Sequence, residues 1–167
     1  SKAALYRQSA RKAQMRRIGL FGGTFNPPHK AHLRLAEKAL EGARLDRVLI
    51  MPAFVPPHKE AKELLSGTDR LELCRRTFCG EKFEISDLEL QRKGKSYTVE
   101  TLEELKKLYP GDEFFLIIGS DMLLSFDRWY RFEEILKMAK LCVMTRERAV
   151  SRKMLSEYCK NTLKLSQ

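Results

Sequence analysis

The chain has little of the residues that most directly announce chemistry. Its 167 residues include three histidines, one tryptophan and four cysteines. Cys74, Cys79, Cys142 and Cys159 form no C-x-x-C pair, and none lies beside a histidine at zinc-ligand spacing, so the pattern offers no structural zinc site. Cys74 and Cys142 fall inside apolar patterns and read as buried thiols, which suits a reducing, cytoplasmic setting. No apolar run approaches the roughly 18 residues of a membrane span, and no apolar segment follows the basic start as in a signal peptide. Internal repeats and low-complexity tracts are absent too.

Acidic residues are missing from one region. Residues 1–17 carry six Lys/Arg and no acid, residues 146–167 carry six against two, and the stretch between is neutral, so the net charge of +10 belongs to the two ends. A nucleic-acid surface built into a fold places its charge on the core elements. Nucleic-acid binding is therefore disfavoured and survives only as a rival reading that uses the ends. Residues 1–15 read as a basic extension or a cloning remnant, with a transit peptide as a lesser alternative and Met15 a plausible start. Residues 16–167 are expected to form one domain.

Within that domain strand and helix signals alternate. Arg17–Phe21, "RVLIMP", "KFEISDLEL", "EFFLIIG" and "KLCVMT" read as strands. Between them lie helical patterns. One carries Leu33, Ala36, Ala39 and Leu40. "TDRLELCRRTF" is a second, with Thr68 or Asp69 as N-cap. "TVETLEELKKLY" is a third, with Val99, Leu102, Leu105 and Leu108 on one face. "RWYRFEEILKMA" and "SRKMLSEYCKNTL" follow. "AFVPPHKEAKELLSGT" is a long, Pro-rich loop. The alternation predicts an α/β, Rossmann-like, doubly wound parallel sheet of about five strands in a single domain. Such sheets bind ligands beyond the carboxyl ends of their strands. That rule selects 22–32, 52–59, 86–98 and 119–130 as candidate site segments.

The densest of these is "GGTFNPPHKAH". Gly22 and Gly23 permit unusual backbone angles and close ligand approach, and Pro27 and Pro28 force an extended entry into the helix that follows. His29 precedes that helix and His32 lies in its first turn, where free N–H groups favour an anion. The segment is neither G-x-G-x-x-G nor G-x-x-x-x-G-K-[ST], so it is no ordinary dinucleotide fingerprint or P-loop. Two histidines at i, i+3 also suit a metal, but no third ligand is evident and no metal is expected.

These residues resemble the signature G-[GS]-[TS]-F-[DN]-P-x-H-x-[GA]-H of the adenylyltransferase superfamily, in the form similar to bacterial nicotinate-mononucleotide adenylyltransferases. "MPAFVPPHK", "DLELQRKGKSYTVETLEEL" and "FFLIIGSDMLLSFDRWYRFEEILKMAKLCVM" agree in order and spacing, so the resemblance covers about residues 16–146. It implies adenylyl transfer from ATP to nicotinate mononucleotide, giving deamido-NAD and pyrophosphate, in NAD biosynthesis. Nicotinamide mononucleotide or another phosphorylated small molecule is the alternative acceptor. ATP would be the co-substrate, with Mg²⁺ carried on its phosphates.

The same resemblance suggests roles for individual residues. His32, with His29, would be catalytic, His32 donating to the α-phosphate. Gly22, Gly23 and Thr24 would cradle ATP, with Gly119, Asp121 and Lys59 as further contacts. Thr24, Ser96, Thr98, Trp129 and Tyr130 would hold the mononucleotide, Trp129 stacking on the pyridine. Ser96, Thr98 and Asp121 also suit helix caps, and Phe25 a core plug. Asn26 stands where Asp is commoner and Ala31 where Gly is commoner. The family's later signature, I-S-[ST]-[ST]-x-[IL]-R, has no match in these residues. By length, one strand and two helices of the usual domain are expected to be missing, with Arg152 and Lys153 as substitute charge. The substrates are small molecules, no membrane partner is expected, and a homo-oligomer stays open.

Overall fold

A computed structural model describes residues 15–55, 63–145 and 151–165. Five strands, β1 (Arg17–Gly23), β2 (Arg47–Pro52), β3 (Phe83–Ile85), β4 (Glu113–Gly119) and β5 (Ala139–Met144), form one sheet in the order β3-β2-β1-β4-β5. Every adjacent pair is parallel. The helices are α1 (Lys30–Gly42), α2 (Gly67–Thr77), α3 (Leu88–Arg92), α4 (Thr98–Leu108), α5 (Ser120–Leu123), α6 (Phe132–Met138) and α7 (Arg152–Asn161), with a 3₁₀ turn at Phe126–Arg128.

The strand sequences are apolar on both faces because both faces are covered. Ile18 and Leu20, Leu49 and Met51, and Phe114, Leu116 and Ile118 pack against Val99, Leu102 and Leu105 of α4, Ile135 of α6 and Leu155 of α7. The intervening residues Phe21, Val48, Ile50, Phe115 and Ile117 face Ala36 and Ala39 of α1 and Cys74 and Phe78 around α2. The period-2 alternation of the strands thus sorts side chains between two cores. Gly19 lies under Leu45 and Ile117, where an added Cβ would stand 2.8 and 2.9 Å from their methyl carbons. Burial pushes the Cys74 thiol up to about 11, which leaves it inert near neutrality.

Several expected boundaries move. The third strand ends at Ile85, and "LELQR" is the short helix α3, because β3 lies at the sheet edge and pairs only over Phe83–Ile85. Ser66, not Thr68 or Asp69, caps α2, its hydroxyl accepting from Asp69 N at 3.0 Å. Leu108 is 59% exposed at the end of α4, beyond the reach of the core its face serves. "RWYRF" is not helical throughout: the helix begins at Phe132, after Arg131 takes a left-handed conformation.

The connection order places the reversal of winding between β1 and β4. There the recorded pairing runs only from Arg17 opposite Glu113 to Leu20 opposite Leu116. β1 stays paired with β2 as far as Gly23, and β4 with β5 as far as Gly119. The carboxyl ends of the two central strands therefore part from each other, which opens a crevice at the topological switch point.

Candidate active site

The crevice holds a cavity of about 210 Å³ lined by Leu20, Gly22 and Gly23 of β1, Leu116, Ile117 and Ile118 of β4, Ala53, Glu89, Ser96, Thr98, Met122 and Trp129. Five of the sequence-selected residues, Gly22, Gly23, Ser96, Thr98 and Trp129, thus share one wall system. Gly22 and Gly23 are still in β1 and neither has a positive φ; the left-handed residue of the turn is Phe25, at φ +48°. The expected unusual glycine angles are therefore absent; an added Cβ at Gly22 would meet only Met51 O, at 3.8 Å, whereas one at Gly23 would touch the Phe25 ring at 3.4 Å. Phe25 is 3% exposed and plugs the core beside Phe21 and Phe78, with ring centroids 5.4 and 5.9 Å away.

His29 and His32 stand at the start of α1, on the Phe21 and Phe25 side of the exit of β1. Their rings lie 3.9 Å apart, and His32 sits edge-on to Phe25 at 5.2 Å. Their Nδ1 atoms have the same job. His29 Nδ1 accepts from Ala31 N at 3.3 Å, and His32 Nδ1 accepts from His29 N at 3.0 Å. A nitrogen that accepts from a backbone N–H carries no proton, so the neutral rings are held as Nε2–H tautomers. The helix cap thereby presents both imidazoles as donors. Asn26 anchors the preceding loop, its Oδ1 accepting from Leu65 N at 2.9 Å and its Nδ2 donating to the Glu63 carbonyl at 3.1 Å. An Asp here would keep the acceptor and lose the donor, which explains the amide.

Thr98 opens α4 with Tyr97 at the N-cap and no side-chain cap, so neither Ser96 nor Thr98 caps the helix. Glu100 N and Thr101 N donate to Tyr97 O at 3.0 and 3.1 Å, and no side chain caps the N–H groups of Thr98 and Val99 ahead of them. Ser96 Oγ is buried and makes no hydrogen bond of standard geometry, although it lies close enough to the Glu89 carboxyl to favour its ionised form. Tyr130, 53% exposed, packs at a tilt of 45° on Tyr97, ring centroids 4.5 Å apart, instead of lining the cavity. Trp129 is half-buried against Phe126, centroids 4.9 Å apart. Gly119 caps α5, so Asp121 does not. The space above Gly119 is taken by Asp121 itself, whose Oδ1 would lie 2.7 Å from an added Cβ. Lys59 and His58 lie outside the described residues. Arg152 and Lys153 are exposed at the start of α7.

Glu89 is the residue that sequence reading missed, because "DLEL" looks like an alternating strand. It is 9% exposed in the cavity wall. Thr101 Oγ1 donates to its Oε2 at 3.0 Å and accepts from Arg92 at 2.8 Å. Burial pushes its carboxyl up from the ordinary 4.5, against the opposing pull of Thr101 and Arg92. A raised folded-state value means that the native protein binds the proton more tightly than the unfolded chain, so stability falls as pH rises from about 4.5 towards that value. Glu89→Gln removes this loss. The melting temperature of the variant relative to wild type is expected to rise between pH 4.5 and pH 8, and a difference that shrinks over that range would contradict the assignment.

Among the described residues no group of three His, Cys, Asp or Glu side chains is placed to hold a metal ion, and no helix is long and apolar enough to cross a membrane. Residues 20–166 match the cytidylyltransferase-like family. The chain belongs to that family. Among cytidylyltransferase-like relatives, a Shouchella clausii protein is 46% identical over 133 residues, covering 79% of this chain and 69% of its own length. One from Halalkalibacterium halodurans is 48% identical over 124 residues, covering 73% and 60%. Both are named "Probable nicotinate-nucleotide adenylyltransferase". This chain thus spans 69% and 60% of the length of those relatives. Plasmodium falciparum nicotinic acid mononucleotide adenylyltransferase complexed with NaAD has the same fold, with TM-score 0.70 and 18% identity over 85% of this chain and 70% of that one. The same protein complexed with APC gives a TM-score of 0.71, at the same identity and coverage.

Proposed function

We propose that this chain transfers AMP from ATP to nicotinate mononucleotide, in the cytoplasm, as a step of NAD biosynthesis. The observation that carries the reading is the switch-point cavity joining Gly22 and Gly23 to the start of α4 and to Trp129, together with two histidines at the start of α1 whose Nδ1 atoms accept from backbone N–H groups. The names of the curated relatives support it.

In this reaction an oxygen of the mononucleotide 5′-phosphate forms a bond to the α-phosphorus of ATP, and the bond from that phosphorus to the bridging oxygen breaks, releasing pyrophosphate. A phosphate monoester is mostly ionised at neutral pH, so the nucleophile needs no strong base. The protein's work is to align two anions and spread charge on the transferred phosphoryl. His32 and His29 donate from Nε2 to the ATP phosphates. Gly22, Gly23 and Thr24 cradle the nucleotide phosphates, and Lys59 adds charge. Gly119 and Asp121 meet the ribose of ATP. The first-turn N–H groups at Thr98, with the backbone of Tyr130, receive the nicotinate carboxylate, and Trp129 stacks on its ring. The triphosphate would carry Mg²⁺, which would supply charge neutralisation when bound.

The test is release of pyrophosphate from ATP, nicotinate mononucleotide and Mg²⁺. No release by the full-length gene product would overturn the reading. An N–H array receives an anion better than a neutral amide, so the acid is expected to be turned over faster than nicotinamide mononucleotide, and the reverse order would change the acceptor.

A further inference from the structure

Arg70 has no part in the contacts described so far, yet it is 1% exposed and among the largest fully buried side chains of the protein. Among the described residues its guanidinium makes no ion pair. It donates instead to three carbonyls. Nη1 reaches Thr24 O and Ala53 O, each at 2.8 Å, and Nε reaches Leu65 O at 3.1 Å. Thr24 directly follows β1 and Ala53 directly follows β2, and those two exits are also joined by Ala53 N donating to Gly23 O at 2.8 Å. Leu65 begins the N-terminal approach to α2 and is held from the other side by Asn26. One planar fork therefore fixes the loop after β1, the loop after β2 and the segment before α2 against one another.

We propose that Arg70 is a positioning residue for phosphoryl chemistry at this site, setting the height and direction of the Gly23–Thr24 exit through its shared bond to Thr24 O and Ala53 O. The physical argument is one of geometry. Phe25 anchors the far side of this loop in the core, but Thr24 is exposed and has no such packing, so the direction of its carbonyl is set by the bond from Arg70. A guanidinium has donors in a rigid arrangement and suits fixed acceptors. A buried cation with only carbonyl partners is costly to keep, and the bonds it makes converge on the loop that bears the phosphate cradle. The proposal rests on the adenylyl-transfer reading, because transfer needs that cradle in one position.

The test compares wild type with Arg70→Met, which keeps volume and removes all donors, and Arg70→Lys, which keeps charge and loses the fork. In steady-state assays kcat is expected to fall at least tenfold in Arg70→Met, with the KM for nicotinate mononucleotide within threefold of wild type, and Arg70→Lys to recover part of the loss. Hydrogen exchange of the substrate-free proteins gives a readout that does not depend on activity. Amides of residues 22–26 and 63–66 should exchange faster in Arg70→Met, while β4 and α4 keep their protection. Where Arg70→Met does not fold, Arg70→Lys carries both measurements. Unchanged exchange in those two segments, faster exchange spread equally over β4 and α4, or a kcat within threefold of wild type would overturn the proposal. Inactivity of wild type with the local exchange difference intact would instead remove the adenylyl-transfer reading and leave the clamp.

Discussion

His32→Ala is expected to slow adenylyl transfer by about 10²–10³-fold, the usual effect of removing one preorganised donor from a developing phosphoryl or oxyanion charge. The KM values should move far less, because the interaction strengthens as charge shifts toward the transition state. The structure makes the result interpretable. His32 Nδ1 is used by His29 N, so the donor assigned to the nucleotide is Nε2. Alanine removes two things at once, the donor and a cap acceptor, and the cap alone is worth about 1 kcal/mol of stability. His32→Asn separates them. Its side-chain oxygen reaches the position of Nδ1 and keeps the cap, but nothing reaches the position of Nε2. His32→Gln does the reverse, placing an amide donor near Nε2. Turnover by Asn as slow as by Ala, with partial recovery by Gln, assigns the loss to Nε2. A His32→Ala enzyme within threefold of wild type would remove the role.

Trp129→Ala is the second large effect. Stacking a base on an aromatic ring is worth about 1–3 kcal/mol by alanine substitution, so the KM for the mononucleotide should rise by roughly 5- to 150-fold, with kcat reduced only a few-fold. Trp129 also packs on Phe126, a fully buried residue of the larger core. Alanine therefore loosens that corner as well as the pocket. Trp129→Phe keeps a ring against Phe126 and a surface for the pyridine, and its KM should stay within about fivefold of wild type if stacking is the source. Because Trp129 is the only tryptophan, its fluorescence in the wild-type protein reports the same contact directly, and quenching by nicotinate mononucleotide but not by ATP is expected. A KM unchanged in Trp129→Ala would place the pyridine elsewhere.

Much of the fold was legible because the signal was local. Strands β1, β2, β4 and β5 announce themselves as apolar runs stopped by Gly, Pro or a polar residue, and α1 and α4 by helical spacing. Where reading failed, the deciding partner lay far away in sequence. "DLEL" alternates like a strand, but no second edge is available to pair it beyond Ile85, and it coils into α3. The flexibility read into Gly22 and Gly23 fell one turn later, on Phe25, because β1 remains paired with β2 through Gly23. Ser96 and Asp121 have the composition of caps without the position, since the chain turns into helix at Tyr97 and Gly119. Arg70 and Glu89 carried no signal at all. Arg70 inside a polar helical pattern, and Glu89 at a polar position of an apparent strand, read as solvated until the structure shows three carbonyls and a threonine waiting for them.

The sequence by itself determined the alternation of elements, the two-faced burial of the central strands and the motif residues that stand at strand ends. These depend on side-chain type and on spacing within about a dozen residues. Only the tertiary structure decided that β1 and β4 part after Leu20 and Leu116, that Glu89 and Ser96 enter the resulting cavity, and that Arg70 ties its rim together. Those outcomes are set by which strand lies next to which, and so by contacts between residues tens of positions apart whose energies depend on distance and direction as well as on residue type.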